Sequence, residues 1–208
     1  MRIKVLLLFV QLFMIVPVNI LAQNNDLNRQ FAQELKEKCS GVKSIVCKFI
    51  QTRSASVLAQ DTDKHGKYFF LQPYNVLLAF DDGDYIKITS TKFEIKQNGH
   101  INVTKVGSNP MLKSLNRMLS ACISGDASQI TSGFDTEITA NEDEFILKLL
   151  PLRGRTGKKA VETQLVFNRK DMSLKRMKMT EATGDFLQYR FYDVNYNADL
   201  APSLFDIK

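Results

Sequence analysis

Histidine and cysteine are scarce in this chain, and their scarcity removes several chemistries at once. Only His65 and His100 occur, in the turn-like contexts Asp63-Lys64-His65-Gly66 and Asn98-Gly99-His100. Nucleophilic catalysis of the Ser-His-Asp or Cys-His kind needs a histidine held beside its nucleophile, and neither setting supplies one. Neither histidine stands at ligand spacing to a cysteine or to the other histidine, so no metal site is expected. The three cysteines, Cys39, Cys47 and Cys122, are odd in number, so at least one stays unpaired or pairs with another molecule. Three small buried hydrophobes is the preferred reading; a Cys39–Cys47 bridge is the alternative.

Other catalytic groupings are missing too. The carboxylates Asp81/Asp82 and Glu142/Asp143/Glu144 fall in turns, where acids serve solubility. Gly154-Arg155-Thr156-Gly157-Lys158-Lys159 is glycine-rich and basic, but it lacks the phosphate-loop spacing and joins two strands rather than opening a helix. It reads as a basic hairpin tip, at most a docking surface for anionic groups such as lipid headgroups. No enzyme and no cofactor are expected.

Charge is also thin. The formal net charge is +6, from 28 Lys and Arg against 22 Asp and Glu. Residues 1–22 hold two of the bases, no acid and 17 apolar residues. Without them, 186 residues carry 26 bases and 22 acids. So small an excess gives no warrant for nucleic-acid binding. Met1-Arg2-Ile3-Lys4, followed by an apolar stretch to Leu21-Ala22-Gln23, has the order of a secretory signal peptide cleaved after Ala22. Gln11, Pro17 and Asn19 interrupt that stretch, which argues against a retained membrane anchor. The expectation is an exported, soluble protein whose residues 23–208 form a single domain, since no Pro/Gly/Ser-rich linker and no repeat divides them.

What is present is a pattern of strands. Leu27, Phe31, Leu35 and Cys39 recur at four-residue spacing and predict one helix, with Asp26 able to cap its start and Gly41 to close its end. From Ser44 the period changes to two, and Val76-Leu77-Leu78-Ala79-Phe80 is apolar throughout, which predicts a strand covered on both faces. Asn98-Gly99 is a hairpin signal, because both central residues of a type I′ turn need positive φ. A second helix is predicted from Ser108-Asn109-Pro110, with the stripe Met111, Leu112, Leu115, Met118, Leu119 and Cys122, ending at Gly125. Five further strand-like runs follow, the last alternating from Phe186 to Val194. About ten strands with two or three helices and no βαβ alternation predict an antiparallel α+β architecture whose hairpins curl strongly. Such a sheet with striped helices on one face encloses either a filled core or an apolar cavity, and the sequence leaves both open.

Three strings carry a resemblance. They are Gly41-Val42-Lys43-Ser44-Ile45-Val46-Cys47-Lys48-Phe49-Ile50-Gln51 after an amphipathic helix, Gly66-Lys67-Tyr68-Phe69-Phe70-Leu71-Gln72-Pro73, and Gly184 to Asn197 leading to Leu204-Phe205. In order and spacing the chain resembles a divergent member of the periplasmic outer-membrane lipoprotein carriers, the LolA-like family. The resemblance implies an incomplete β-barrel, its open side covered by helices, with an apolar cavity that shields acyl chains of lipoproteins or related lipids. It implies passage from an inner-membrane donor complex to an outer-membrane acceptor, by a monomer. An alternative with the same fold is a periplasmic sensor or interaction module that binds a protein or lipid ligand. The lining expected on this basis is Phe49, Tyr68, Phe70, Leu78 and Phe80 from strands, with Met111, Leu115, Met118 and Leu119 from the covering helix. Family members commonly carry an Arg before the Pro of the second strand, which ties the lid shut. Gln72 holds that position here, keeping hydrogen-bonding capacity without charge or forked geometry.

Overall fold

The computed structural model describes residues 19–57, 60–105, 118–152 and 162–207, with side chains from residue 26 onward. The proposed lining residues Met111 and Leu115, the helix start at 108–110 and the basic tip 154–159 lie outside these.

Eleven strands form one antiparallel sheet. They are Ser44–Ser54 (β1), Thr62–Leu71 (β2), Asn75–Phe80 (β3), Tyr85–Ile88 (β4), Lys92–Gln97 (β5), His100–Lys105 (β6), Phe134–Ala140 (β7), Glu144–Pro151 (β8), Glu162–Asn168 (β9), Leu174–Thr180 (β10) and Phe186–Tyr196 (β11). The spatial order is β6-β5-β4-β3-β2-β1-β11-β10-β9-β8-β7. Two meanders therefore meet along β1 and β11, and β6 and β7 remain as the two edges of an unclosed barrel. Asn98 and Gly99 have φ of 51° and 81°, so the β5–β6 hairpin turns as its sequence requires. His65 falls within β2 rather than in the turn its neighbours suggested, and both histidines are exposed.

Helix α1 spans Asn19–Cys39. It begins seven residues before the expected Asp26 cap, because residues 19–25 contain neither Gly nor Pro to stop it. Asp26 instead lies 4.0 Å from Arg29 in an exposed pair on the helix surface. The apolar stripe behaves as the spacing dictates: Phe31, Leu35 and Cys39 are buried. Phe31 meets Phe145 of β8 and Phe167 of β9 edge-on, at centroid distances of 5.5 and 5.2 Å. Helix α2, described over 118–124, and helix α3, Ala127–Thr131, follow. Asp126 caps α3, its carboxylate accepting from the backbone N–H groups of Ser128 and Gln129 at 3.1 and 3.3 Å. Gly125, at φ +74°, lets α2 end hard against α1: a Cβ there would stand 3.0 Å from the Leu35 carbonyl oxygen and 3.2 Å from Cys39 Cβ.

One apolar core runs the length of the sheet's concave face and takes in all three helices. The other face carries exposed pairs such as Lys48–Asp193 at 2.8 Å and Lys64–Asp82 at 2.8 Å, which add little stability each.

Candidate functional site

The cavity sits where α1 ends, and its position follows from a break in the β11 alternation. Along β11 the inward residues are Leu187, Tyr189 and Phe191, every second position. Val46 then pairs with Asn195 while Lys48 pairs with Tyr192, so β11 uses three steps where β1 uses two. Asp193 takes up the extra residue in the left-handed region, at φ 53°. The parity of the strand changes there. Phe191, Val194 and Tyr196 consequently all face the same cavity, which strict alternation forbids.

Ile45 and Cys47 of β1 and Tyr68 of β2 form the adjoining wall. Cys39 at the end of α1, Val42 in the following turn, and Leu119, Cys122 and Ile123 of α2 form the roof. Met172, Ser173 and Leu174 close the remaining side. Its volume is about 40 Å³, room for about three waters or a few chain carbons. No charged side chain lines it among the described residues. Of the lining expected from sequence, Tyr68 and Leu119 border the cavity. Phe49, Phe70, Leu78 and Met118 are buried in the surrounding core, and Phe80 is half-buried against Phe49 at a centroid distance of 5.2 Å.

The structure adds lining residues that sequence reading passed over. All three cysteines, from positions 39, 47 and 122, are free, buried and on this one cavity. Cys39 Sγ donates to the Cys122 carbonyl at 3.4 Å, linking the ends of α1 and α2. Burial pushes the Cys39 thiol up to about 11, helped by the charge of Asp171, and the Cys47 thiol up to about 12. Cys122 is raised further by the same desolvation. These thiols are therefore neutral at physiological pH and act as wall, not as nucleophiles.

Residues 40–208 match the family model described as outer membrane lipoprotein carrier protein LolA. The chain belongs to the LolA family. Solved structures similar to it include a LolA superfamily protein from Nitrosomonas europaea, at 13% identity and TM-score 0.42, over 85% of this chain and 97% of that one. An outer membrane lipoprotein-sorting protein domain from Vibrio parahaemolyticus matches at 14% identity and TM-score 0.46, covering 85% and 95%. The lipoprotein LppX from Mycobacterium tuberculosis matches at 12% identity and TM-score 0.41, covering 86% and 98%. No curated protein matches the chain.

In this LolA family member, Gln72 is placed at the edge of the roof. Its Nε2 donates to the Val42 carbonyl at 2.7 Å, and its backbone N–H donates to the Lys43 carbonyl at 2.9 Å. Val42 lines the cavity, so the amide of Gln72 holds the turn through which α1 enters β1. On the other side of that turn, the Lys43 N–H donates to Asn197 Oδ1 at 2.7 Å. Two amide side chains thus clamp one turn.

That clamp gives a prediction with an internal reporter. Cys39, Cys47 and Cys122 are free and buried beneath the roof, so their alkylation rate is expected to rise with its opening. In Gln72→Leu one neutral hydrogen bond of about 1 kcal/mol is lost and the Val42 carbonyl is left unpaired. Alkylation by N-ethylmaleimide at pH 7.5 is expected to speed up about fivefold while circular dichroism stays unchanged. An unchanged rate would remove Gln72 from control of the roof.

Proposed function

We propose that this protein is a soluble periplasmic carrier that shields acyl chains of lipoproteins, or of related acylated lipids, on their way from the inner to the outer membrane. The observation that carries this reading is a neutral apolar cavity, roofed by helix ends and clamped at one turn, in a member of the lipoprotein carrier family. Among the described residues no helix is long and apolar enough to cross a membrane. Residues 1–22 serve in this reading as a cleaved export signal, and an inner-membrane donor complex and an outer-membrane acceptor as the partners.

The energetics favour a closed resting form. An acyl chain of about sixteen carbons loses on the order of 13 kcal/mol when exposed to water, at about 0.8 kcal/mol per CH₂. A cavity of about 40 Å³ is too small for such a chain, so in this reading loading moves the roof of α1 and α2. Moving it separates the roof from the sheet, and the cargo replaces roof contacts with its own. The net gain on loading is the difference between two apolar burials, which keeps release feasible. Phe49, Tyr68, Phe70, Leu78, Phe80, Met111, Leu115, Met118 and Leu119 are the proposed lining of the opened cavity.

The test is chemical analysis of what the chain carries. Expressed with its N-terminal segment in an exporting host and purified without detergent, it is expected to yield acyl-bearing lipid in near-stoichiometric amount by mass spectrometry. A preparation free of lipid, which also fails to take up acylated peptides from vesicles, would overturn the proposal.

A further inference from the structure

One residue of the cavity wall, Tyr68, carries a buried polar atom that the fold leaves without a partner. Tyr68 is 3% exposed, and its hydroxyl makes no hydrogen bond. Its ring is fixed by β2 and by an edge-on contact with Phe191 at a centroid distance of 5.7 Å, so the hydroxyl cannot swing to the surface. A buried hydroxyl without a partner costs roughly 1–3 kcal/mol, and phenylalanine would fill the same space without that cost. No protein group pairs with this hydroxyl, so a partner for it has to come from something that enters the cavity.

The walls restrict what that partner is. Beside Tyr68 they offer three neutral thiols, apolar side chains, and the hydroxyls of Ser173 and Tyr196. Ser173 is already committed, its hydroxyl donating to Asp171 Oδ1 at 2.7 Å. No cation is present on the wall among the described residues, and Ser173 at its edge is bonded to the Asp171 side chain. A free fatty-acid carboxylate would meet no counter-charge among the described lining residues and a carboxylate at their margin, at a large desolvation cost. A neutral carbonyl would meet a donor and otherwise apolar walls.

Resting on the carrier reading above, we infer that Tyr68 is a binding subsite for a neutral acyl carbonyl, ester or amide, and that the cavity discriminates against free carboxylates. The phenol donates its O–H to the carbonyl oxygen, and the attached chain extends along the core vacated by the roof. The subsite thereby reads the linkage by which a chain is attached, where the rest of the cavity reads only its hydrophobicity.

The experiment uses displacement of the neutral fluorophore N-phenyl-1-naphthylamine at pH 8 by four probes of equal chain length: methyl laurate, N-methyl lauramide, laurate and dodecane. The ester or the amide is expected to bind at least tenfold more tightly than laurate. Tyr68→Phe should weaken the carbonyl probes about five- to tenfold, the worth of one hydrogen bond, and leave dodecane within twofold. Whichever carbonyl probe binds better identifies the source as an O-acyl or an N-acyl group. Equal binding of the carbonyl probes by both proteins, or laurate binding as tightly as the ester, overturns the subsite while leaving the carrier intact. If none of the four displaces the fluorophore from either protein, the carrier reading fails with it. In the ligand-free state, Tyr68→Phe is expected to match or exceed the parent in Tm. A fall of more than about 5 °C would mean that a resident water satisfies the hydroxyl, and would also overturn the inference.

Discussion

Raising the pH from 7 to 10 is expected to remove about 4 kcal/mol of folding stability, an effect located in the three cavity thiols. In an unfolded chain a cysteine ionises near pH 8.5–9. In the folded protein Cys39 is pushed up to about 11, Cys47 to about 12, and Cys122 higher still, in each case chiefly by burial. A raised pKa means that the native state keeps its proton where the unfolded state releases it. The stabilisation is then complete below the unfolded pKa and is lost as pH climbs from about 9 toward 11–12. At pH 10 each thiol accounts for about 1.4 kcal/mol, from one unit above the unfolded value at 1.36 kcal/mol per unit. Three such groups make a large fraction of a typical 5–15 kcal/mol total. Urea midpoints measured at pH 7, 8, 9 and 10 should fall steeply above pH 8.5. The variant with Cys39, Cys47 and Cys122 all changed to alanine starts less stable but should lose much less over the same interval. Parallel losses in both proteins would show that other groups set the alkaline limit. Tyr189 and Tyr196, each raised to about 12 by burial, extend the decline beyond pH 10 in both.

The second large effect is steric. Gly66→Ala is expected to cost about 3 kcal/mol, and Gly66→Val to prevent folding, because no room exists for a side chain in the middle of β2. A Cβ at Gly66 would collide with the Ala79 carbonyl oxygen of β3 and approach Phe49 Cζ and Cε1 to 2.8 and 2.9 Å. The strand pairing explains the crowding. Gly66 lies between Phe49 of β1 and Phe80 of β3, and these two rings meet over it at a centroid distance of 5.2 Å and an angle of 88°. Phe49 in turn packs on Tyr189 at 5.9 Å, and Tyr189 stacks on Phe191 at 6.2 Å. The glycine is the gap that lets two phenylalanines close over the strand. Overpacking of this kind ordinarily costs 1–3 kcal/mol, with backbone contact at the upper end. Thermal unfolding of Gly66→Ala, Phe49→Leu and their double variant tests the account. The double variant should recover part of the loss, since leucine vacates the ring positions but not the Ala79 carbonyl. Strict additivity of the two substitutions would break the proposed contact.

Much of this architecture is legible in the chain, and the legible parts share a physical basis. Period-two runs made strands such as β1 and β11 visible, because alternation of burial is imposed locally by the pleat, and a continuous apolar run marked β3. Leu27, Phe31, Leu35 and Cys39 marked the buried stripe of α1 for the corresponding reason in a helix, and Asn98-Gly99 marked its hairpin by backbone sterics alone. The resemblance of the Gly41–Gln51 and Gly66–Pro73 strings pointed to the family that residues 40–208 match. Where α1 starts was not legible, since a capping aspartate is a permissive signal that a longer run of helix-compatible residues overrides. The cavity was only partly so. Tyr68 and Leu119 stood in the expected lining, whereas Ile45, Cys47, Val194 and Tyr196 did not.

The division between the two levels has one cause. Sequence by itself determined the apolar character of the first segment, the scarcity of histidine, the strand and helix periods and hence the antiparallel class, all of which depend on neighbours within a few residues. Only the tertiary structure decided that residues 39, 47 and 122 share one cavity, that Gln72 reaches Val42, and that the hydroxyl of Tyr68 is left without a partner. The first three depend on how α1 and α2 meet the β1–β2 pair, where Cys47 stands opposite Tyr68, and the β11 part of the wall depends on a single extra residue at Asp193, which reverses which side of that strand faces inward. A one-residue bulge leaves almost no trace in local pattern, yet it sets the wall of the cavity.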